Sequence, residues 1–138
     1  FGDLDNDGDI DFLVANLGST PVLYRNDLDT TSHWIMFRTR GHRSNRDGIG
    51  ARITVTTGSL KQVWEIKRTV GIFSASDPRA HFGLGSSTKA DSEEIHWPIG
   101  RTRQFRDVPA SLHYLIDEEE GLKKEFEREG RYLQTGLI

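Results

Sequence analysis

The sequence predicts an all-β fold, an antiparallel β-sandwich or barrel-like domain with a hairpin at its N-terminal end and a helix at its C-terminal end. Three observations predict it. Seven short runs rich in β-branched and aromatic residues recur between residues 34 and 116, with turn-forming residues between them. Two further apolar runs precede them, and one charged segment with spaced apolar residues follows.

The seven runs favour strands because apolar and polar residues mostly alternate in the clearest of them, the period of a half-buried strand. They cover Trp34 to Thr39, Arg52 to Thr57, Gln62 to Val70, His81 to Leu84, Glu93 to Trp97, Thr102 to Val108 and Leu112 to Ile116. A sequence of 138 residues can bury a sizeable core. We expect that core to include Trp34, Ile53, Val55, Trp64, Phe82, Trp97 and Leu115.

The two ends of the chain carry different signals. Phe12 to Ala15 and Val22 to Tyr24 predict a hairpin, since Gly, Ser and Pro lie between them. From Asp117 to about Leu133, acids in the first turn and a thin apolar stripe predict a helix. The expected division is therefore residues 1–29, 30–117 and 118–138.

Charge is divided along the same boundaries. Residues 1–29 contain seven acids and one base, residues 30–116 seven acids and 13 bases, and residues 117–138 seven acids and four bases. The absence of cysteine excludes disulfides and thiolate metal sites. No apolar run is long enough to span a bilayer. Because the chain opens on Phe1-Gly2-Asp3 without a Met, we expect a piece of a longer protein, with any signal peptide upstream.

Five aspartates on alternate positions need a physical reason, because neighbouring carboxylates repel by about 4 kcal/mol at about 4 Å and an effective dielectric near 20. A hard divalent cation supplies one. Ca²⁺ takes six to eight oxygen ligands, and a tight loop that turns at Gly8 can provide them. The predicted ligands are the side chains of Asp3, Asp5, Asp7 and Asp11 and the backbone carbonyl of Asp9.

An EF-hand does not fit this loop. Counted from Asp3, its twelfth position is Val14 instead of a bidentate Glu, and a β-type run follows instead of a helix. A strand-to-strand calcium loop is the better interpretation. Mg²⁺ is less suited, since it keeps more of its waters, and a solvated acidic turn without metal is the remaining alternative.

Two other groups of residues could carry chemistry. Asp77 and His81 could act as an acid and base pair in a hydrolase, although a polar turn held by Asp77 and Arg79 is the simpler interpretation. A basic patch could bind polyanions such as glycosaminoglycans or nucleic acid; it contains Arg38, Arg40, Arg43, Arg46 and Arg52. The five histidines lack the spacing of a zinc site.

Two resemblances follow from these motifs. Residues 1–16, Phe-Gly-Asp-Leu-Asp-Asn-Asp-Gly-Asp-Ile-Asp-Phe-Leu-Val-Ala-Asn, resemble the calcium loop and strand of an FG-GAP or VCBS repeat, the unit of integrin-α-like propellers. Downstream, Trp34 to Gly41, Ser44 to Arg52, His81 to Gly85, Ile95 to Pro98 and Asp107 to Ala110 resemble the ASPIC/UnbV domain, as in the cartilage acidic protein family.

The resemblance implies a protein that is secreted, periplasmic or at the cell surface, with upstream propeller repeats and Ca²⁺ bound by Asp3, Asp5, Asp7, Asp9 and Asp11. It implies no catalytic residues. We therefore expect a non-enzymatic, extracellular adhesion or interaction module with structural calcium. Its partner would be an unidentified protein or glycan, and nucleic acid is not the expected one. The hydrolase and the polyanion binder are the alternatives.

Overall fold

A computed structural model describes residues 1–28, 31–69 and 71–125, and every helix or strand assigned within them is a β-strand. The strands are β1 (Phe12–Val14), β2 (Val22–Tyr24), β3 (His33–Arg40), β4 (Arg52–Thr57), β5 (Leu60–Glu65), β6 (Ala80–Gly85), β7 (Lys89–His96), β8 (Thr102–Pro109), β9 (Leu112–Asp117) and β10 (Gly121–Lys124). In the described part of the chain no helix could cross a membrane.

Eight of these strands form a sandwich of two four-stranded sheets. Sheet I has the order β10-β9-β3-β6, and sheet II has the order β5-β4-β7-β8. Their facing side chains form one core, to which sheet I contributes Phe37 and Phe82 and sheet II contributes Ile53 and Ile95. The predicted all-β sandwich is confirmed, and the sheets do not close into a barrel. Neighbouring strands are antiparallel apart from the parallel pair β3 and β9.

The two faces of β3 differ in what covers them. Ile35 and Phe37 belong to the core between the sheets, so alternate residues such as Trp34 and Met36 lie on the outer face of sheet I. Leu115 pairs with Arg38 and lies on the same outer face. Of the residues expected in the core, Leu115 is buried on this outer face, whereas Trp34 is only partly buried there.

The N-terminal hairpin is confirmed, since β1 and β2 pair antiparallel with Phe12 opposite Tyr24. The C-terminal helix is wrong for residues 117–125. There β9 ends at Asp117, the chain turns, Gly121 adopts a φ of 89°, and β10 returns along β9. The acids expected in a first helical turn form this turn instead, and the backbone N–H groups of Glu119 and Glu120 donate to Asp117 Oδ1. The rest of the predicted helix lies outside the described residues.

Candidate metal centre

The acidic loop, residues 3–11, is closed at its base by a pair of backbone hydrogen bonds. The N–H of Gly2 donates to the carbonyl of Asp11 at 3.1 Å, and the N–H of Asp11 donates to the carbonyl of Gly2 at 2.8 Å. Two left-handed residues bend the chain between these points, Asn6 with a φ of 62° and Gly8 with a φ of 98°. The sequence thus places in this turn the two residue types that tolerate a positive φ best.

The turn brings three carboxylates together. Asp3, Asp5 and Asp11 each offer one oxygen, and these oxygens lie within 4.8 Å of one another. Two Ca²⁺ ligands at about 2.5 Å from the ion can be at most about 5 Å apart, so one ion could contact all three. Among the described residues this is the only such group of three or more His, Cys, Asp or Glu side chains. Asp7 and Asp9 lie outside it, and Asp7 Oδ1 accepts the N–H of Asp9 at 2.9 Å.

Backbone donors hold the two buried members of this group. Asp11 Oδ2 accepts the N–H of Leu4 at 3.0 Å and Asp11 Oδ1 accepts the N–H of Asn26 at 2.9 Å, while Asp3 Oδ2 accepts the N–H of Gly8 at 3.1 Å. The carboxylates therefore have fixed positions before any ligand arrives. Such outer hydrogen bonds commonly orient metal-binding carboxylates.

One oxygen of Asp3 is left over. Asp3 is 2% exposed, and its buried Oδ1 has no hydrogen-bond partner among residues 1–28, 31–69 and 71–125. Burial raises the pKa of Asp3 above its ordinary value, and the positive charge of Arg79 offsets this only in part. An unsatisfied buried acceptor costs about 1–3 kcal/mol. A cation beside Asp5 and Asp11 would remove that cost, so the residues present fit a hard divalent ion.

The acidic loop packs on the outer face of sheet I. Gly8 lies against the indole of Trp34, and a Cβ at this position would be 1.9 Å from the ring. His81 Nε2 donates to the carbonyl of Gly8 at 2.8 Å, and its ring stacks on Trp34 with 6.2 Å between centroids. Trp34 and His81 therefore act as the platform that fixes the turn of the loop.

Arg79 joins the loop to the sandwich, because its guanidinium group donates hydrogen bonds to both. Its Nε donates to the Asp77 carboxylate at 2.8 Å, its Nη1 to Asn6 Oδ1 at 2.8 Å, and its Nη2 to the carbonyl of Asp3 at 2.7 Å. The sequence pointed to Arg79 only as the partner of Asp77, because its other partners lie more than 70 residues away. Asp77 and His81 are the candidate hydrolytic pair. In the structure Asp77 accepts hydrogen bonds from Arg79, whereas His81 donates to the carbonyl of Gly8.

The five arginines of the basic patch are divided among different surfaces. Arg38 and Arg40 lie on the outer face of β3, and Arg46 approaches them from the following loop. Arg52 belongs to sheet II and lies near Glu65. Arg43 contributes its backbone N–H to Glu118. The sequence could not assign these arginines to different surfaces, because the number of charges in a segment does not show which sheet each residue belongs to.

A second buried acid anchors the loop that contains Arg46. Glu118 Oε2 accepts the backbone N–H groups of His42, Arg43 and Ser44 at 2.6, 2.7 and 3.0 Å, and Oε1 accepts the Ser44 hydroxyl at 2.8 Å. Beside it, His42 Nε2 donates to Asp117 Oδ2 at 3.0 Å. Sequence reasoning placed Glu118 in a helix and missed this role.

The fold and the loop define a class of protein, an all-β sandwich with an acidic loop docked on one sheet. The family model for ASPIC and UnbV matches residues 41–123, and the chain belongs to that family. No curated protein matches the chain. The match begins after the acidic loop, so the resemblance of residues 1–16 to an FG-GAP or VCBS repeat stays a prediction.

Proposed function

We propose that the chain is a non-enzymatic interaction module in which the acidic loop binds a structural Ca²⁺. The observation that carries this proposal is the buried Oδ1 of Asp3, which has no hydrogen-bond partner in the part of the chain that the structure describes, while the Asp3 carboxylate lies beside Asp5 and Asp11. A solvated acidic turn would leave its carboxylates exposed to water. Here two of the three are at most 2% exposed, which favours an ion over water as their partner.

The ion would act on structure, since the loop contacts the sandwich through Gly8 and Arg79 instead of facing an open cleft. Asp3, Asp5 and Asp11 would hold it, with Asp7 and Asp9 adding negative charge nearby. Calcium modules that work outside cells bind at about 10⁻⁴ to 10⁻³ M. We infer a location where calcium is abundant, namely a secreted, periplasmic or cell-surface protein.

The hairpin of β1 and β2 is the expected contact for preceding repeats of the same chain. All six of its strand residues are exposed, among them Phe12, Leu13, Leu23 and Tyr24. An isolated two-stranded hairpin is only marginally stable in water, and neighbouring strands would supply the packing it needs. The ligand, a protein or a glycan, would bind at a surface other than this contact between the hairpin and the preceding repeats.

Calorimetric titration with CaCl₂ tests the metal centre through two charge-matched variants. Asp5→Asn removes a member of the three-carboxylate group at an exposed position, so folding should be preserved. Asp107→Asn removes the same charge from an exposed residue of sheet II that pairs with Lys89. We expect Asp5→Asn to weaken calcium binding at least tenfold and Asp107→Asn to change it less than twofold. Equal effects of the two variants, or no saturable binding by the unmodified chain, would contradict the proposal.

A further inference from the structure

A second site lies at the other end of the outer face of sheet I. Four arginines surround a cavity of about 150 Å³: Arg38 and Arg40 of β3, Arg46 of the next loop, and Arg68 of the segment after β5. Asp47 and Pro78 complete its wall. We call this the arginine pocket. Arg68 is distant in sequence from the other three and joins them only through the fold.

The guanidinium groups in the arginine pocket keep most of their hydrogen-bonding capacity. Each has five N–H donors. Arg38 pairs with Glu125 and Arg68 with Asp47, through one nitrogen each, while Arg40 lies 3.8 Å from Asp117. Within the described residues Arg46 forms no salt bridge. Both oxygens of Asp117 accept hydrogen bonds from other donors, His42 and two backbone N–H groups, so Asp117 occupies no N–H donor of Arg40 at hydrogen-bond distance.

The backbone that carries three of these arginines is held by the structure around it. Arg38 and Arg40 alternate on one strand and therefore point to the same face. The loop bearing Arg46 is held by the Glu118 carboxylate and by the N–H of Gly41, which donates to the carbonyl of Arg46 at 3.0 Å. A backbone that is already ordered loses less conformational entropy when a ligand binds.

We propose that the arginine pocket binds one sulfate or phosphate ester group of an acidic sugar. Guanidinium groups recognise such oxygens through paired hydrogen bonds, and a tetrahedral ester group offers three terminal oxygens to several arginines at once. Single-stranded nucleic acid is the less suitable ligand, because its binding sites use aromatic side chains for base stacking and none of the described residues that line this pocket is aromatic.

The test measures binding of a heparin-derived hexasaccharide, and of glucose 6-sulfate and glucose 6-phosphate, by calorimetry at low salt. The Arg46→Ser, Arg68→Ser variant removes two exposed pocket arginines. The Arg43→Ser, Arg52→Ser variant removes the same charge outside the pocket. We expect at least tenfold weaker hexasaccharide binding for the first and less than twofold for the second. Equal losses in both variants would show a diffuse charge effect and overturn the proposal.

A charge-preserving variant, Arg46→Lys with Arg68→Lys, separates pocket geometry from charge. Lysine keeps the positive charge but loses the paired donors, so we expect affinity to fall at least threefold. Unchanged affinity would overturn the pocket, as would equally tight binding of a desulfated hexasaccharide or of a single-stranded oligonucleotide of the same charge. Preference between the two glucose esters would assign sulfate or phosphate as the natural group. Asp5→Asn should leave all these values unchanged, so the pocket and the metal centre can fail independently.

Discussion

Glu118 and Glu93 are both fully buried, yet their carboxylates lie in opposite surroundings. Glu118, at the end of sheet I, accepts three backbone N–H groups and one hydroxyl. Glu93, in the middle of β7, has no hydrogen-bond partner at either oxygen among the described residues. It lies at a buried position of sheet II, opposite Val55 and Phe105 in the neighbouring strands. The same side chain is therefore surrounded by donors in one sheet and lacks them in the other.

The two surroundings move the pKa in opposite directions. Burial alone would raise the pKa of Glu118, but the backbone donors from His42 to Ser44 overcome it and lower the pKa to about 2. Burial without donors raises the pKa of Glu93 to about 8. Glu118 is thus an anion at neutral pH and Glu93 is mostly a neutral acid. Hydrogen-bond donors decide the charge of a buried carboxyl more than burial itself does.

Asp3 is intermediate between these two glutamates. One of its oxygens accepts the N–H of Gly8, and the other has no hydrogen-bond partner within the described segments. It also differs from Glu93 in its neighbours, because Asp5 and Asp11 lie close by. A lone buried carboxyl is neutralised most easily by a proton, whereas three adjacent carboxylates suit a divalent cation.

Removal of the Glu118 carboxylate should cost the most stability. Glu118→Ala leaves the N–H groups of His42, Arg43 and Ser44 without their acceptor, and we expect a loss of about 3–5 kcal/mol in the free energy of unfolding. Urea denaturation measures it. Glu119→Ala, the change at the more exposed neighbour, should stay within about 0.5 kcal/mol. A loss below about 1 kcal/mol for Glu118→Ala would mean that water replaces the carboxylate.

Sequence reasoning succeeded where the signal is local and failed where it depends on distant partners. The strands were predictable because alternation reports a half-buried sheet, and the acidic loop because its motif lies within residues 3–11. The helix after Asp117 was wrong because acids in a turn resemble acids in a first helical turn. The contacts of Arg79 with the acidic loop and the role of Glu118 were missed because the partners lie 73 to 76 residues away. Pairing in a sheet such as β3 with β9 brings such residues together.

Calcium should protect the loop more than the sandwich. If the ion binds only the folded loop, it stabilises by about 2.7 kcal/mol when free calcium is a hundredfold above Kd. Hydrogen exchange can follow the N–H groups of Leu4, Gly8 and Asn26, which donate to Asp3 or Asp11. We expect chelation to speed their exchange about a hundredfold.

The N–H groups held by Glu118 provide the internal control for that experiment. Those of His42, Arg43 and Ser44 also donate to a carboxylate, but no metal is proposed there, so chelation should leave their exchange unchanged. Faster exchange at both places would mean that loop and sandwich unfold together, as the contacts of Gly8 and Arg79 would allow. Unchanged exchange at both would contradict a bound ion.

The pH dependence of stability should identify Glu93 as a neutral acid. Its pKa is about 8 in the folded chain against an ordinary 4.5, so between these values the folded state binds more protons than the unfolded one. Stability contributed by Glu93 is therefore full at low pH and is lost as the pH rises through this window. The loss is about 1.4 kcal/mol per pH unit, or about 2 kcal/mol between pH 5.5 and 7. Glu93→Gln cannot titrate and should lack this component.

Denaturation of the unmodified chain, Glu93→Gln and Glu65→Gln at each pH isolates that component, because the histidines and their partners are unchanged in all three proteins. Glu65 is an exposed residue of sheet II, and its carboxylate lies 3.7 Å from Lys67. Glu65→Gln should therefore keep the falling profile of the unmodified chain, while Glu93→Gln becomes the more stable protein towards pH 7. Parallel profiles for the unmodified chain and Glu93→Gln would mean that Glu93 is ionised inside the fold. Its contrast with Glu118 would then disappear.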